Sequence, residues 1–359
     1  MKISWSDHLL VRFATGFPGL LSELGRWEGA MLRDRLDAYE IVRPVFICGL
    51  ARSGSTLLLQ LFSELAGVAT HRYRDFPFLA IPCFWNAYLD RFTSFSAPVE
   101  RPHRDRILIT RDSPEAMEEP LWCEAFVDLH SPARSHRMTE ATSNPEFESM
   151  HREHLKKILW LRSGDRYVAK DNYHVTRMEY LLKLYPDAHF IVPIRDPYDH
   201  VMSLVRQHTL FCRYAADDAR IAYHLAAAGH FEFGPQRLPI VIDGDDSLAT
   251  FEAWDLGDSI RGYAIQWKVV YGFVQRLLAS QPELAQRLHL IRHEDFCAAP
   301  VEQFKGLLQN VQFAIPGTMP PMLAQVSQSP MASPIDSKQR SVIGDVVGEV
   351  ASMYRYDVA

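Results

Sequence analysis

The chain has 359 residues, 47% of them apolar and 23% charged, which is ordinary for a soluble globular protein. A net charge of −6 excludes a general binder of nucleic acid or of anionic membrane, so an anionic ligand has to be held by local basic residues working against the overall field. The five cysteines (48, 83, 123, 212 and 297) lie far apart without C-x-x-C or Cys/His ligand spacing, which argues for reduced thiols and against a disulfide framework or zinc site.

Residues 1–43 read as a helical lead-in with a break at Gly16, Pro18 and Gly19. Its Trp5/Leu9/Phe13 stripe is expected to pack on the core. Asp7, His8 and Arg12 interrupt the apolar residues, so no signal-peptide core forms. No apolar run reaches the ~18 residues of a membrane span. The expectation is a cytoplasmic protein without stable membrane insertion.

A short apolar strand from Val45 to Cys48 leads into a loop, Gly49 to Thr56, and a helical run from Thr56 to Leu65 that Gly67 ends. The loop has the G-x-x-x-x-G-[ST]-T pattern of a phosphate-cradling P-loop, with Ser55 where the usual lysine stands. Its backbone N–H groups and the positive end of the helix attract a phosphate whatever the side chains are. The missing lysine is the one that reaches β- and γ-phosphates. Ser53, Gly54, Ser55, Thr56 and Leu57 therefore keep the cradle for something other than a nucleoside triphosphate, with Arg52 as the replacement cation.

The Pro- and aromatic-rich stretch 73–103 reads as irregular chain around short helices, and a helix is predicted to start near Ser113-Pro114. After polar sequence at 131–150, a helix is expected over about 149–162, then a strand from Arg166 to Lys170 and a helix over 174–185. The strand Ala188 to Ile194 follows, with Arg195-Asp196-Pro197 opening another helix. Residues 213–259 break the rhythm, with Gly229 to Pro235 and the acidic run Asp243, Asp245, Asp246, Asp255 and Asp258; such a segment reads as a lid or binding insertion. A helix over about 259–279, a strand from Leu288 to Arg292, a helix from Pro300 to about 310, a surface loop over 316–337 and a last helix near 341–354 complete the chain. Alternating strands and helices predict an α/β fold: a P-loop-type parallel sheet flanked by helices, in a single domain over 44–355 with 213–259 as its lid-like insertion. Ligands of such sheets sit beyond the carboxyl ends of the strands, where the loops at 49–56, 170–174 and 195–197 fall.

Arg195 is expected at the end of a buried strand, with Ser203 eight residues later on the following helix. A guanidinium fork plus a hydroxyl suits a phosphate monoester. Asp196 in a Walker-B role would carry Mg²⁺, but it sits one residue past the strand and directly after an arginine. Lys170 ends its strand in Lys170-Asp171-Asn172-Tyr173-His174, and Glu118 and Glu119 sit where a helix start favours acidic residues.

Gly49 to Leu57, Phe190 to Pro197 with Ser203, and Val168 to His174 together resemble the sulfotransferases that use 3′-phosphoadenosine 5′-phosphosulfate (PAPS). They look closest to the branch containing tyrosylprotein sulfotransferases and many bacterial enzymes. The resemblance implies that residues 52–57 hold the 5′-phosphosulfate, that Arg195 and Ser203 hold the 3′-phosphate, and that Lys170 faces the sulfuryl group. It implies charge stabilisation by Arg52 and Lys170, and a general base at Asp75, where the family has glutamate. Glu118 or Glu119 and His174 stay open as alternative bases. Leu290 to Phe296 resembles the family's Tyr-Glu-Asp-Leu segment with His293 in the tyrosine's place, and Ser337-Lys338 resembles its C-terminal Ser-Lys, so Lys338 is expected to close on the donor. The implied reaction moves a sulfuryl group to a hydroxyl of a small-molecule or polymer acceptor, releases adenosine 3′,5′-bisphosphate and requires no metal. Two other readings of the same residues are an ATP-dependent small-molecule kinase and a non-catalytic nucleotide-binding protein.

Overall fold

The computed structural model describes residues 3–93, 97–105, 107–242, 246–326 and 335–358. Its strands in chain order are β1 (Val45–Ile47), β2 (Val68–Ala69), β3 (Val99–Glu100), β4 (Leu108–Ile109), β5 (Arg166–Lys170), β6 (His189–Ile194) and β7 (Leu288–Arg292). Five of them form one parallel sheet in the order β2-β5-β1-β6-β7, and β3 pairs with β4 as a separate antiparallel hairpin. Chain order reverses at β1, which has β5 on one side and β6 on the other; a crevice opens there at the carboxyl ends.

The two faces of β1 explain the two halves of the core. Phe46 and Cys48 enter the larger apolar cluster with Phe190, Val192, Tyr271 and Val347, while Val45 and Ile47 enter the other with Leu59, Phe62, Phe304 and Leu308. Successive residues of a strand point to opposite faces, so a strand covered by helices on both sides is apolar along its middle and carries its polar residues only at its ends. Every residue of β1, β5 and β6 is buried accordingly.

Several local expectations need correction. The chain after Ser113-Pro114 is extended, because Pro114 bridges Arg72 and Glu115 N–H donates to His71 O (3.1 Å); the helix starts later, at Glu119–Ala125. The stretch expected as one helix over 174–185 is a 3₁₀ turn, Asn172–Thr176, followed by the helix Met178–Leu184. Residues 213–259 are more regular than their composition suggested. The helix Pro197–Asp217 runs into them, Arg220–Ala227 and Asp246–Asp255 are helical, and Phe233, Ile240, Ile242 and Trp254 are buried in the main core. Asp243 and Asp245 of the acidic run lie outside the described residues, as does 327–334 of the expected surface loop. In the lead-in, the helix Trp5–Gly16 turns Val11 and Ala14 inward, which leaves Trp5, Leu9 and Phe13 exposed instead of packed. Among the described residues no helix is long and apolar enough to cross a membrane.

Candidate active site

The loop after β1 has the backbone of a tight cradle. Gly49 (φ +121°) and Gly54 (φ +103°) adopt left-handed conformations, and a Cβ on Gly54 would come within 2.9 Å of His293 Nδ1. His200 Nε2 donates to Ala51 O (2.8 Å), anchoring the loop to the helix Pro197–Asp217. The helix Ser55–Ser63 then starts with its free N–H groups at the loop.

Arg52, Gly54, Ser55, Thr56 and Leu57 line a cavity of about 620 Å³, and Arg195 joins them from the end of β6. Arg101 and Asp105 enclose it from the β3–β4 hairpin and His293 from the exit of β7. Ser53 is buried beneath the loop. Arg52 Nε donates to Ser203 Oγ at 3.5 Å, so loop, β6 exit and following helix converge as the motif spacing predicted. Arg195 is buried, its Nη2 is 3.8 Å from Asp199, and its Nε has no hydrogen-bond partner among the described residues. A buried guanidinium N–H without an acceptor is costly, and an anion in the cavity would satisfy it.

Asp105 is the carboxylate facing these cations. It pairs with Arg52 (2.9 Å) and Arg101. Burial alone would raise its carboxyl, but the two arginines outweigh burial and hold it well below the usual carboxylate range.

The turn at β6 is built by Asp196 and Glu294. Asp196 Oδ1 accepts from Tyr198 and Asp199 N–H, capping the helix Pro197–Asp217, and Glu294 accepts from Asp196 N–H (2.9 Å) and from Tyr356 O–H (2.7 Å). Asp196 is thus a helix cap, at odds with the Walker-B reading, and the Glu294 segment ties the C-terminus to the turn that presents Arg195. Lys338 is exposed on the first turn of the helix Ser337–Met353 and does not line the cavity. Two residues on, Arg340 stacks over Tyr198 (4.3 Å to the ring centre), close to the Arg195 turn.

The second group of side chains surrounds Lys170. Register places Lys170 beside Ile47, level with the start of the phosphate loop. Its Nζ is 3.8 Å from Glu115 Oε1. Tyr73 O–H and Ala116 N–H donate to Glu115, whose carboxyl burial would raise but which Lys170 and Arg101 hold at about 2. On the other side, Asn172 donates to Glu232, Phe231 N–H donates to Tyr173 Oη (3.1 Å), and Tyr263 O–H donates to Glu232 O (2.9 Å).

The carboxylates and histidine expected as bases are engaged elsewhere. Asp75 is wholly buried and accepts from Arg162, Asn86 and Arg72 N–H, with His71 at 3.3 Å. Glu119 forms a two-pronged pair with Arg177 (2.7 Å to each oxygen) and meets His130. Glu118 accepts from Tyr167, and His151 and the buried His174 point at it. Glu119, Cys123 and His130 are close enough to suggest a metal site, but the Arg177 guanidinium already occupies both Glu119 oxygens. Asp171 has its carboxyl pushed up to about 7 by burial and by Glu119; the charged groups acting on it are Glu119, His174 and Arg177.

Sequence reasoning missed Arg101, Asp105, Glu115, His230 and Glu232. Their one local signal is the Arg101/Asp105 pair four residues apart on a Pro-flanked turn; the rest meet Lys170 only through tertiary folding.

This is an α/β protein with a glycine-bent anion cradle at the switch point of a parallel sheet and three arginines around it. The sulfotransferase family model matches residues 44–238, more than half the chain, and the chain belongs to that family. A solved sulfotransferase, STF9 from Mycobacterium avium, shares the fold at 16% identity, with a TM-score of 0.52 over 92% of this chain and 82% of that one. More distant likenesses are sulfotransferase STF1 from Mycobacterium tuberculosis H37Rv (14% identity, TM-score 0.45, 93% and 81% covered) and a sulfotransferase from Alicyclobacillus acidocaldarius (13%, 0.41, 88% and 98%). No curated protein matches the chain.

Proposed function

We propose that the chain transfers a sulfuryl group from PAPS to a hydroxyl of a small-molecule or polymer acceptor. In this reading the loop N–H groups of residues 53–57 and Arg52 hold the phosphosulfate, Arg195 and Ser203 hold the 3′-phosphate, and Lys170 faces the sulfuryl group. The observation that carries the donor assignment is the buried Arg195, its Nε without an acceptor, at the wall of a cavity that the phosphate loop also lines. Ser55 in the lysine position favours a ligand with two separate anionic ends over a polyphosphate tail.

Calorimetric titration tests this. Adenosine 3′,5′-bisphosphate is expected to bind more tightly than ATP–Mg²⁺, and Arg195→Ala to weaken it by about 10- to 150-fold, the scale of a charged hydrogen bond worth roughly 1.5–3 kcal/mol. Equal affinities, or indifference to the substitution, would defeat the donor assignment.

Asp105 gives a prediction of opposite sign. Its carboxylate occupies the guanidinium that the phosphosulfate would use, so ligand entry must displace it. Asp105→Asn is expected to tighten bisphosphate binding by about 3- to 30-fold at low salt, less at high salt as screening shortens the reach of the competing charge. Weaker binding in the variant would show that Asp105 instead orients Arg52.

A further inference from the structure

We propose that the general base for the acceptor hydroxyl is His230, oriented by Glu232, on the turn between the helix Arg220–Ala227 and the buried Phe233. The inference rests on the sulfuryl-transfer reading above and adds the proton acceptor.

Geometry singles out this pair by position and by accessibility. Two contacts fix the turn to the exit of β5, Asn172 to the Glu232 carboxylate and Phe231 N–H to Tyr173 Oη, and a third, Tyr263 O–H to Glu232 O, ties it to the helix Ser259–Ser280. Asn172 is two residues past Lys170, so the turn stands beside the cation that faces the sulfuryl group. The Glu232 side chain is 10% exposed and the His230 side chain 28%. His230 Nδ1 is 3.5 Å from Glu232 Oε2, an ion-pair contact to a buried oxygen that makes no hydrogen bond among the described residues, and His230 Nε2 makes none there either. A carboxylate at Nδ1 favours the tautomer that keeps the proton there, which leaves the Nε2 lone pair for a proton from the acceptor.

The charged groups facing His230 are Glu232 in its own turn, Lys170 at the end of β5 and Glu115 before the helix Glu119–Ala125. Burial and Lys170 work against its protonated form. Glu232 outweighs them, and the imidazole is raised above its ordinary value. Glu115 is the nearest rival, but a carboxyl held at about 2 is a poor base at neutral pH, whereas imidazole is the side-chain type whose ordinary range lies closest to it. Asp75, Glu118 and Glu119 are sequestered in buried pairs.

The step balances. The acceptor O–H proton passes to His230 Nε2 as the acceptor oxygen forms its bond to sulfur. The bond from sulfur to the bridging oxygen breaks, and its electron pair stays on the 5′-phosphate of the departing adenosine 3′,5′-bisphosphate.

The test follows bisphosphate release from PAPS by the full chain, with water, a phenol panel and an alcohol panel as acceptors, alongside calorimetry with the bisphosphate. His230→Ala is expected to lower kcat by about 10²- to 10³-fold, keep bisphosphate affinity within twofold and regain part of its rate with added imidazole. Glu232→Gln, which keeps an amide for Asn172, is expected to lower kcat about tenfold and move the acidic limb of the pH–rate profile downward. An unchanged rate in His230→Ala, or a loss of rate matched by loss of bisphosphate affinity, overturns the assignment. So does a parent protein that binds the bisphosphate yet releases none from PAPS with any acceptor, an outcome that leaves the donor reading standing. A parent protein that binds no bisphosphate sinks the donor reading itself.

Discussion

Lys170→Ala is expected to lower turnover by about 10²–10³-fold while adenosine 3′,5′-bisphosphate still binds within a few-fold of the parent. The expectation starts from where the strand puts the ammonium. β5 is flanked by β1 and β2 and buried along its length, so the lysine that ends it has little freedom. Lys170 is 7% exposed, and a charge there is far less screened than one in water. Glu115 holds the Nζ at 3.8 Å, which is an ion pair but too long for a hydrogen bond, and Nζ makes no hydrogen bond among the described residues. In the proposed reaction its donors remain available to an oxygen that gains charge as the sulfuryl group departs.

A fixed donor aimed at charge that develops only in the transition state contributes to kcat and little to ground-state affinity. The bisphosphate lacks the sulfuryl group, so its binding should hardly register the substitution. Lys170→Arg keeps the charge in a bulkier fork and is expected to recover only part of the rate. Steady-state kinetics with PAPS and calorimetry with the bisphosphate separate the two quantities. A parallel fall in both would make Lys170 a ground-state binding residue.

The phosphate-loop half of the candidate site was legible in the sequence because each of its parts is local. A strand, two glycines that must go left-handed, and the first turn of a helix lie within Val45 to Ser63, and the glycine spacing alone reports the cradle. The placement of Arg195 and Ser203 was equally readable: the apolar run Phe190 to Ile194 must end somewhere, and the residue after it must point beyond the sheet. The surroundings of Lys170 were not legible, since their logic is one of partners. Asp75 sits just after the first β–loop–α unit, where the resemblance placed a base, but Arg162 arrives from a helix 87 residues later to claim it. Glu119 is taken by Arg177, 58 residues on. Glu115 lies where a helix was expected to start near Ser113-Pro114, and backbone pairing with His71 instead keeps its segment extended beside Lys170. The Gly-rich look of 229–235 suggested irregular chain, and the side chains that make its turn specific (Asn172, Tyr173, Tyr263) belong to other elements.

Asp75→Ala is expected to destabilise the fold by about 3–5 kcal/mol, the scale for removing one partner of a buried ion pair. The carboxylate is wholly buried between Arg162, Asn86 and the backbone N–H of Arg72, so its loss leaves the 5%-exposed Arg162 guanidinium with two long contacts, to Thr70 O and Asn86 Oδ1, both at 3.4 Å. Burial alone would raise the Asp75 carboxyl, but His71 and Arg162 outweigh it and hold the group well below its usual range. A carboxyl depressed in the folded state stabilises fully above its unfolded value, near pH 4, and loses that contribution as pH falls through the folded value. The gap between Asp75→Asn and the parent should therefore be widest at neutral pH and narrow below about pH 4. Urea unfolding at pH 7 and pH 3.5 measures it. In the structure Asp75 anchors the segment that carries Tyr73, and Tyr73 in turn hydrogen-bonds Glu115 beside Lys170. Any loss of rate in Asp75→Asn should then follow its loss of folded protein. If the variant stayed as stable as the parent and lost turnover by orders of magnitude, the base would be Asp75 after all and His230 would lose its role.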